Sequence, residues 1–428
     1  MCPRRRAPLV TTLAVLLAAG LASPARPAPA VAPPIQLVET RPVESRLGNP
    51  ALAAAAPVWV EMIDGATRTL DLEEFYLATW PGEPLSPVLE AMRRAAKRGV
   101  AVRLILDTGM LNSSPLPPDS LGLLAGVSLR LLDMKKVSGG GVQHSKYFIV
   151  DDREVYVGSQ NLDWRSLKHI HELGVRARDP RIAGLFTRVF ESDWQAAAPP
   201  GGAAAGTTPV AVSAPLPALP IRLAQAPGDT VDVWPSFSPE GHIPDASLWD
   251  RDALVRLIDG ARREIVVQSL TYGLGRPGRR DSTLDEALRR AAGRGVKVRL
   301  ILSDWEADNP RIGDLQRLAR VPGVEVKLST VPEWSGGYIP YARVEHCKYM
   351  VVDTLWTWVG TSNWEPDYFD SSRNAALTMR DRPLALEAHA IFEIGWGSGE
   401  VQPLSPDRTY QRKVHGETPP PGQAVYGK

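Results

Sequence analysis

The sequence predicts an α/β protein built from two duplicated units. Each is a mixed β-sheet flanked by helices, and the two pack as a pseudo-two-fold pair with one active site at the seam. Three observations carry that prediction. Long stretches recur: RRAAKRGVAVRLIL from Arg93 matches RRAAGRGVKVRLIL from Arg289, MIDGATRTLDL from Met62 parallels LIDGARREIVV from Leu257, and VFESDW from Val189 parallels IFEIGW from Ile391. Their offset drifts only from 195 to 202 residues, the mark of one unit used twice. Each unit also alternates helical periodicity with short Val/Ile/Leu runs, as helices on a mostly parallel or mixed sheet require. Finally, one polar pattern occurs once per unit: VQHSKYFIVD, Val142 to Asp151, followed by GSQNLDW, and VEHCKYMVVD, Val344 to Asp353, followed by GTSNWEP.

In chain order, residues 1–22 have the basic start, short apolar run from Leu9 to Ala19 and small residues near Ala22 of a cleaved secretory signal. The run is short for a membrane span, and an uncleaved anchor is the alternative. Export to the periplasm or outside the cell follows. Residues 23–36 are a flexible Pro/Ala-rich segment. The first unit covers 37–196. Within it, 86–98 reads as an amphipathic helix, Gly99 as its stop and 100–106 as a buried strand. Residues 197–228 form an Ala/Pro/Gly-rich linker, 229–400 the second unit and 401–428 a C-terminal tail without periodicity in its last stretch.

The 428 residues suffice for two similar cores. Cleavage after Ala22 lowers Lys plus Arg from 49 to 46 against 48 Asp plus Glu, so the net charge moves from +1 to about −2. Such a chain is no bulk polyanion binder, and any anion it handles must meet local positive charge. Cys2 lies in the signal and leaves Cys347 alone, so no internal disulfide forms.

On a strand, alternate residues share a face. His144 with Lys146, and His346 with Lys348, therefore point the same way, with Ser145 and Cys347 opposite. Gly158 and Gly360 allow a tight turn that brings Asn161 and Asn363 to the strand ends. A His, an ammonium and an amide suit a tetrahedral phosphate: Lys and Asn hold its oxygens while His acts as nucleophile or general acid. Two facing sets divide the labour, one imidazole attacking phosphorus and the other protonating the leaving oxygen and then activating water. Two ammoniums take the place of a metal ion, so no metal and no cofactor are expected. A non-catalytic module that grips phosphate with the same residues is the alternative of another class.

The pair HSKYFIVDD…GSQN and HCKYMVVD…GTSN resembles the phospholipase D superfamily. The longer stretches VGSQNLDWRSL, HELGV and IPYARVEHCKYMVVD…VGTSNWEPDYF are similar to its animal lysosomal branch, the third and fourth paralogues. That branch is implied to cleave single-stranded nucleic acid from the 5′ end, and it has links to lysosomal phospholipid chemistry. The resemblance spans roughly residues 36 to 400. It implies catalytic roles for His144, Lys146, Asn161, His346, Lys348 and Asn363, with the first-unit His commonly the nucleophile and a phosphohistidine as intermediate. Asp151 and Asp353 are implied as motif supports, since a carboxylate would repel phosphate, and Ser159 and Thr361 shape the turn. Glu172 stands where relatives place an acid that orients a catalytic His, but the equivalent position in the second unit is Asn374, which leaves the nucleophile open. The branch is also Cys-rich, unlike this chain.

Other signals are weaker. His169 and His171 share a strand face without an evident third metal ligand, and read as a pocket wall or exposed edge. Trp164 and Trp364 follow the two Asn residues and either stack a base, border a headgroup or pack at a turn. Trp356 and Trp358 read as packing and Cys347 as a buried, inert thiol. The partners expected are a phosphodiester substrate, single-stranded nucleic acid ends before phospholipid headgroups, and no obligate protein; both halves in one chain imply a monomer.

Overall fold

The computed structural model describes residues 32–113, 124–202, 215–226, 228–308, 312–411 and 413–426. The expected signal peptide at 1–22 lies outside them. Two sheets carry the fold. In spatial order the first runs Ala53–Ala54, Ile35–Thr40, Glu172–Ala177, Glu154–Gly158, Tyr147–Val150, Thr69–Glu73, Ala101–Asp107, Val127–Leu132. The second runs Ile221–Ala226, Asp229–Ser238, Asn374–Arg380, Trp356–Gly360, Tyr349–Val352, Glu264–Ser269, Lys297–Ser303, Val324–Ser329, Val401–Pro403. Leaving out the edge strands, the order is the same in both. In each, three strands pair in parallel with helical crossovers, with Leu70 opposite Val102 and Ile265 opposite Val298. Antiparallel strands complete the sheet, as a hairpin-forming second half allows.

The repeated RRAA stretch shows how sequence makes the parallel part. In the helix Leu85–Lys97, Leu85, Val88, Leu89, Met92 and Ala95 form one buried stripe. Gly99 then takes φ +89°, a left-handed conformation that ends the helix and costs a glycine little. Ala101–Asp107 follows as a strand in which Val102, Leu104, Ile105 and Leu106 are buried.

The cores lie in three layers. One outer cluster joins Ala55–Asp64 and Leu85–Lys97 to the first sheet, and another joins Asp250–Gly260, Thr283–Gly293 and Gly313–Ala319 to the second. Between the sheets lies a shared central core, to which the helices Pro180–Ala196 and Arg382–Gly397 supply Phe186, Phe190, Ile391 and Phe392. The two repeats are thus joined by one apolar interior.

Three expected boundaries need correction. Ile35 and Gln36 belong to the first sheet, opposite Ala177 and Arg176, because Ile35 and Leu37 bury in the central core. The linker 197–228 contains the edge strand Ile221–Ala226, held by buried Ile221 and Leu223. The tail 401–428 contributes Val401–Pro403 to the second sheet, and Val425 bridges Tyr338. No helix among the described residues is long and apolar enough to cross a membrane.

Candidate active site

Each His-x-Lys segment lies just before a strand, not within it: the regular strands begin at Tyr147 and Tyr349. The segments bridge instead to the opposite repeat. Gln143 pairs in parallel with Arg373 and Glu345 with His171. The His144 amide donates to the Arg373 carbonyl at 2.9 Å, and the His346 amide to the His171 carbonyl, also at 2.9 Å. The seam itself therefore sets both imidazoles. Lys146 Nζ donates to the His144 carbonyl (2.6 Å) and Lys348 Nζ to the His346 carbonyl (2.8 Å), so each ammonium folds back over its own motif.

The glycines serve close approach, not the tight turn expected of them. A Cβ on Gly158 would stand 2.5 Å from Gly174 Cα, and one on Gly360 would stand 2.6 Å from the Trp358 ring. On the other side, Gly158 N–H donates to the Lys146 carbonyl and Gly360 N–H to the Lys348 carbonyl. Asn161 and Asn363 follow, both buried, each with a side-chain oxygen that has no protein partner among the described residues.

The two imidazoles are held differently. His346 Nδ1 lies 2.8 Å from Glu172 Oε2, whose other oxygen accepts from the Ser166 hydroxyl at 2.8 Å. His144 Nδ1 lies 3.0 Å from Asn374 Oδ1. Asn374 Nδ2 donates to the Tyr368 carbonyl and Thr361 Oγ1 donates to Asn374 Oδ1, so that oxygen is an acceptor and His144 Nδ1 carries its proton. Its Nε2 is then left with a lone pair. Glu172 thus orients the histidine of the other repeat, which its place in the first repeat did not reveal. Ser159 pairs with the Leu173 backbone, the counterpart of the Thr361 contact with Ala375.

Burial and mutual repulsion dominate the charges. Burial lowers the proton affinity of both imidazoles well below the usual range, and the ammoniums of Lys146 and Lys348 lower it further. Burial and Lys348 push Lys146 down as well, while burial brings Lys348 to about 8. Burial lifts the Glu172 carboxyl to about 8 despite the pull of Lys348. The His346–Glu172 pair therefore keeps a proton near neutrality that His144, facing a neutral amide, does not.

Sequence reading overlooked three groups. Phe75 and Tyr368 flank the His144 ring edge-on at 4.9 and 4.8 Å between centroids. Lys146 Nζ stands 4.8 Å over the Phe75 ring. Glu74 is buried beside them: burial pushes its carboxyl well up, and Lys146 draws it back. The adjacent acidic pair Glu73–Glu74, at the end of the strand Thr69–Glu73, was the available signal.

Asp151 and Asp353 lie at the far ends of their strands. Asp151 caps three backbone amides, Thr67, Arg68 and Thr69, and Asp353 those of Arg262, Arg263 and Glu264. Burial would raise the Asp151 carboxyl, but these bonds hold it at about 2. Both start a turn of two left-handed residues, φ +54° and +52° in the first and +55° and +50° in the second.

The weaker signals divide. Trp364 is 2% exposed in the second core beside Phe369, with no ring face left for a base or headgroup, which corrects its reading as a substrate contact. Trp164 lies under Trp80 and Tyr426. Trp358 is buried and donates to Asp250, and Trp356 packs on Trp234. His169 is in a loop, buried against Trp164 and Trp334, and does not share a strand with His171. His171 is locked between Glu39 Oε1 (2.9 Å) and Glu345 Oε2 (2.7 Å), with Cys347 beside it. Hydrogen bonds already use its ring nitrogens, which fits an ionic clamp better than a metal site. Cys347 is a free, buried thiol whose burial pushes it well up.

Comparison with known proteins agrees with this architecture. A family model described as "Cardiolipin synthase, PLD-like domain" matches residues 59–194 and again 254–396, once per repeat. The chain is 33% identical over 423 residues to human 5'-3' exonuclease PLD3, covering 87% of this chain and 81% of that protein. It is 29% identical over 399 residues to phospholipase D Z of Dictyostelium discoideum, covering 87% and 91%. Among solved structures, phosphatidylserine synthase of Haemophilus influenzae shares the fold at TM-score 0.59 and 14% identity, over 82% of this chain and 85% of that one. With a matching domain in each repeat, and with relatives aligned along most of its length, the chain belongs to the phospholipase D superfamily of phosphodiesterases.

Proposed function

We propose that this phosphodiesterase cleaves single-stranded nucleic acid ends through a covalent phosphohistidine on His144. The observation that carries the mechanism is the unequal support of the two imidazoles, Asn374 behind His144 and Glu172 behind His346. His144 Nε2 attacks phosphorus with its lone pair. The leaving oxygen takes a proton from His346 Nε2, and Glu172 compensates the change at Nδ1. In the second step His346 removes a proton from water, the hydroxide displaces His144 from phosphorus, and both imidazoles return to their starting forms. Lys146, Lys348, Asn161 and Asn363 meet the non-bridging oxygens. The anion entering between two ammoniums offsets the field that otherwise disfavours imidazolium. No metal is needed for any of these steps.

The preference for nucleic acid is supported by the likeness to the human exonuclease over most of both chains. A second reading, release of phospholipid headgroups, is supported by the similar likeness to the Dictyostelium phospholipase. The test is cleavage of a 5′-hydroxyl, 3′-labelled single-stranded oligonucleotide in excess EDTA by wild type and His144→Ala. A stepwise ladder from wild type alone supports the reading. Loss of cleavage in EDTA refutes the metal-free mechanism, and full activity of His144→Ala refutes the role of His144. If only vesicle headgroups are released, the substrate is lipid. Phosphate binding with no turnover of any diester would leave a non-catalytic module.

A further inference from the structure

Beside Trp164 the surface carries an aromatic cleft whose occupant is the chain itself. The ring of Tyr426 lies 6.1 Å from Trp80, 5.9 Å from Trp164 and 4.9 Å from Trp334 between centroids. Its hydroxyl donates to Glu83 Oε1 at 2.9 Å. Glu83 also holds Lys168 at 2.9 Å, and that ammonium stands 5.3 Å over the Trp334 ring. His169, buried with neither ring nitrogen hydrogen-bonded among the described residues, lies against both Trp164 and Trp334.

Among the described residues the backbone of its segment makes one isolated bridge, Val425 to Tyr338, with Tyr338 N–H donating to the Ala424 carbonyl (3.0 Å) and Tyr426 N–H to the Tyr338 carbonyl (2.8 Å). Residues 421–424 before it are exposed, and Tyr426 itself is half-buried. A planar ring thus sits among three indoles, with a carboxylate to accept from its edge and an ammonium alongside. That is the chemistry of a nucleobase seat: aromatic faces to stack on, a hydrogen-bond acceptor for a ring N–H or amine, and a cation for the backbone. Trp164 is three residues from Asn161, so the cleft lies within about 10 Å along the chain of a proposed phosphate contact.

We propose that this cleft is a base-stacking subsite for single-stranded nucleic acid, and that Tyr426 is an internal occupant that competes with the incoming base. The inference rests on the nucleic-acid reading above. Binding of a short, dye-labelled 5′-hydroxyl single-stranded DNA, followed by anisotropy in EDTA, tests it, with His144→Ala as the background so that no cleavage intervenes. Adding Tyr426→Ala is expected to tighten binding about fivefold or more, and adding Trp334→Ala to weaken it by at least as much, the lower end of what one stacked base contributes. A chain ending at Pro421 must behave like Tyr426→Ala, so the outcome does not depend on whether Trp334→Ala folds. Unchanged or weaker binding by both tail variants, at an unchanged unfolding midpoint, overturns the subsite. If wild type still yields its ladder, the nucleic-acid reading survives that result. If wild type makes no ladder and no variant binds DNA, the reading fails and takes the subsite with it.

Discussion

Replacing Glu172 by Gln separates the two chemical steps. The carboxyl sits 2.8 Å from His346 Nδ1 and is fixed by Ser166, so the amide fits the same space with little repacking. What disappears is the extra proton, which the carboxyl retains up to about pH 8 and an amide cannot hold. A general acid contributes about 10²–10⁴-fold, or roughly 3–5 kcal/mol of barrier. An oligonucleotide leaving as an alkoxide needs that acid, so its turnover should fall by this factor. A p-nitrophenyl diester does not, because its phenolate departs unaided. On that substrate Glu172→Gln should release one equivalent of p-nitrophenol quickly and then slow, since His346, which must take the proton from water, has lost the carboxylate that compensates at its Nδ1. Stopped-flow absorbance measures the burst, and peptide mass spectrometry locates the phosphoryl group. It should lie on the peptide with His144. A phosphoryl group on His346, or turnover within about threefold of wild type on both substrates, would refute the assignment of roles.

Other expectations follow from the same geometry. Oligonucleotide cleavage should hold from well below pH 6.5, where His144 is still neutral, up to about 8, and decline as pH rises further and the His346–Glu172 pair and Lys348 lose protons; a rise through pH 8 would contradict this. His171→Gln leaves Glu39 and Glu345 buried without their cation, and should cost about 3–5 kcal/mol in denaturant unfolding. Burial opposes the His171 imidazolium, but the Glu345 carboxylate hydrogen-bonded to it outweighs that and raises its proton affinity well above 6.5. Its contribution is therefore full below about 6.5 and fades as pH rises through the folded value, so the gap to wild type should narrow in alkali. Asp151→Asn should lose about 1–3 kcal/mol at neutral pH, with the difference vanishing as pH falls from 3.8 towards 2, where the carboxylate is protonated in wild type too. Gly158→Ala should destabilise by about 1–3 kcal/mol and slow cleavage, because the added Cβ meets backbone at Gly174 and displaces the segment leading to Asn161.

The duplication, the mixed sheets and the gathering of two His-x-Lys pairs were legible because each rests on local pattern. Apolar periodicity placed the helix near 86–98 and the strand after it, within a residue of Leu85–Lys97 and Ala101–Asp107. What was not legible was reciprocity across the seam. Glu172 follows Asn161 closely in sequence, and only the parallel bridges between Gln143 and Arg373 and between His171 and Glu345 reveal that it serves the distant His346. The glycines misled for a related reason. A tight turn and a close strand approach both call for glycine, and sequence does not say whether the missing Cβ frees φ or makes room for Gly174. Composition also failed where a few apolar residues overrode their neighbours: Ile221 and Leu223 pin an edge strand inside a segment otherwise rich in Ala and Pro.

The same reciprocity explains why the halves have diverged without separating. Behind each active-site imidazole lies a buried cation whose own backbone carbonyl holds that histidine's amide: Arg373 behind His144 and His171 behind His346. Arg373 is paired with Asp193 at 2.6 Å and with the carbonyls of Ser238 and His242, while His171 is paired with Glu39 and Glu345. Both clamps cross the seam, since Asp193 and Glu39 come from the first repeat and Arg373 and Glu345 from the second. An isolated second half would therefore hold Arg373 without Asp193 and Glu345 without His171, and an isolated first half Asp193 without Arg373, at several kcal/mol for each that stays buried. One clamp is permanently charged and the other titrates. The permanent one stands behind the imidazole proposed to stay neutral and attack. The titratable one stands behind the imidazole proposed to carry the proton, so the support for the acid weakens as pH rises through the His171 value, well above 6.5.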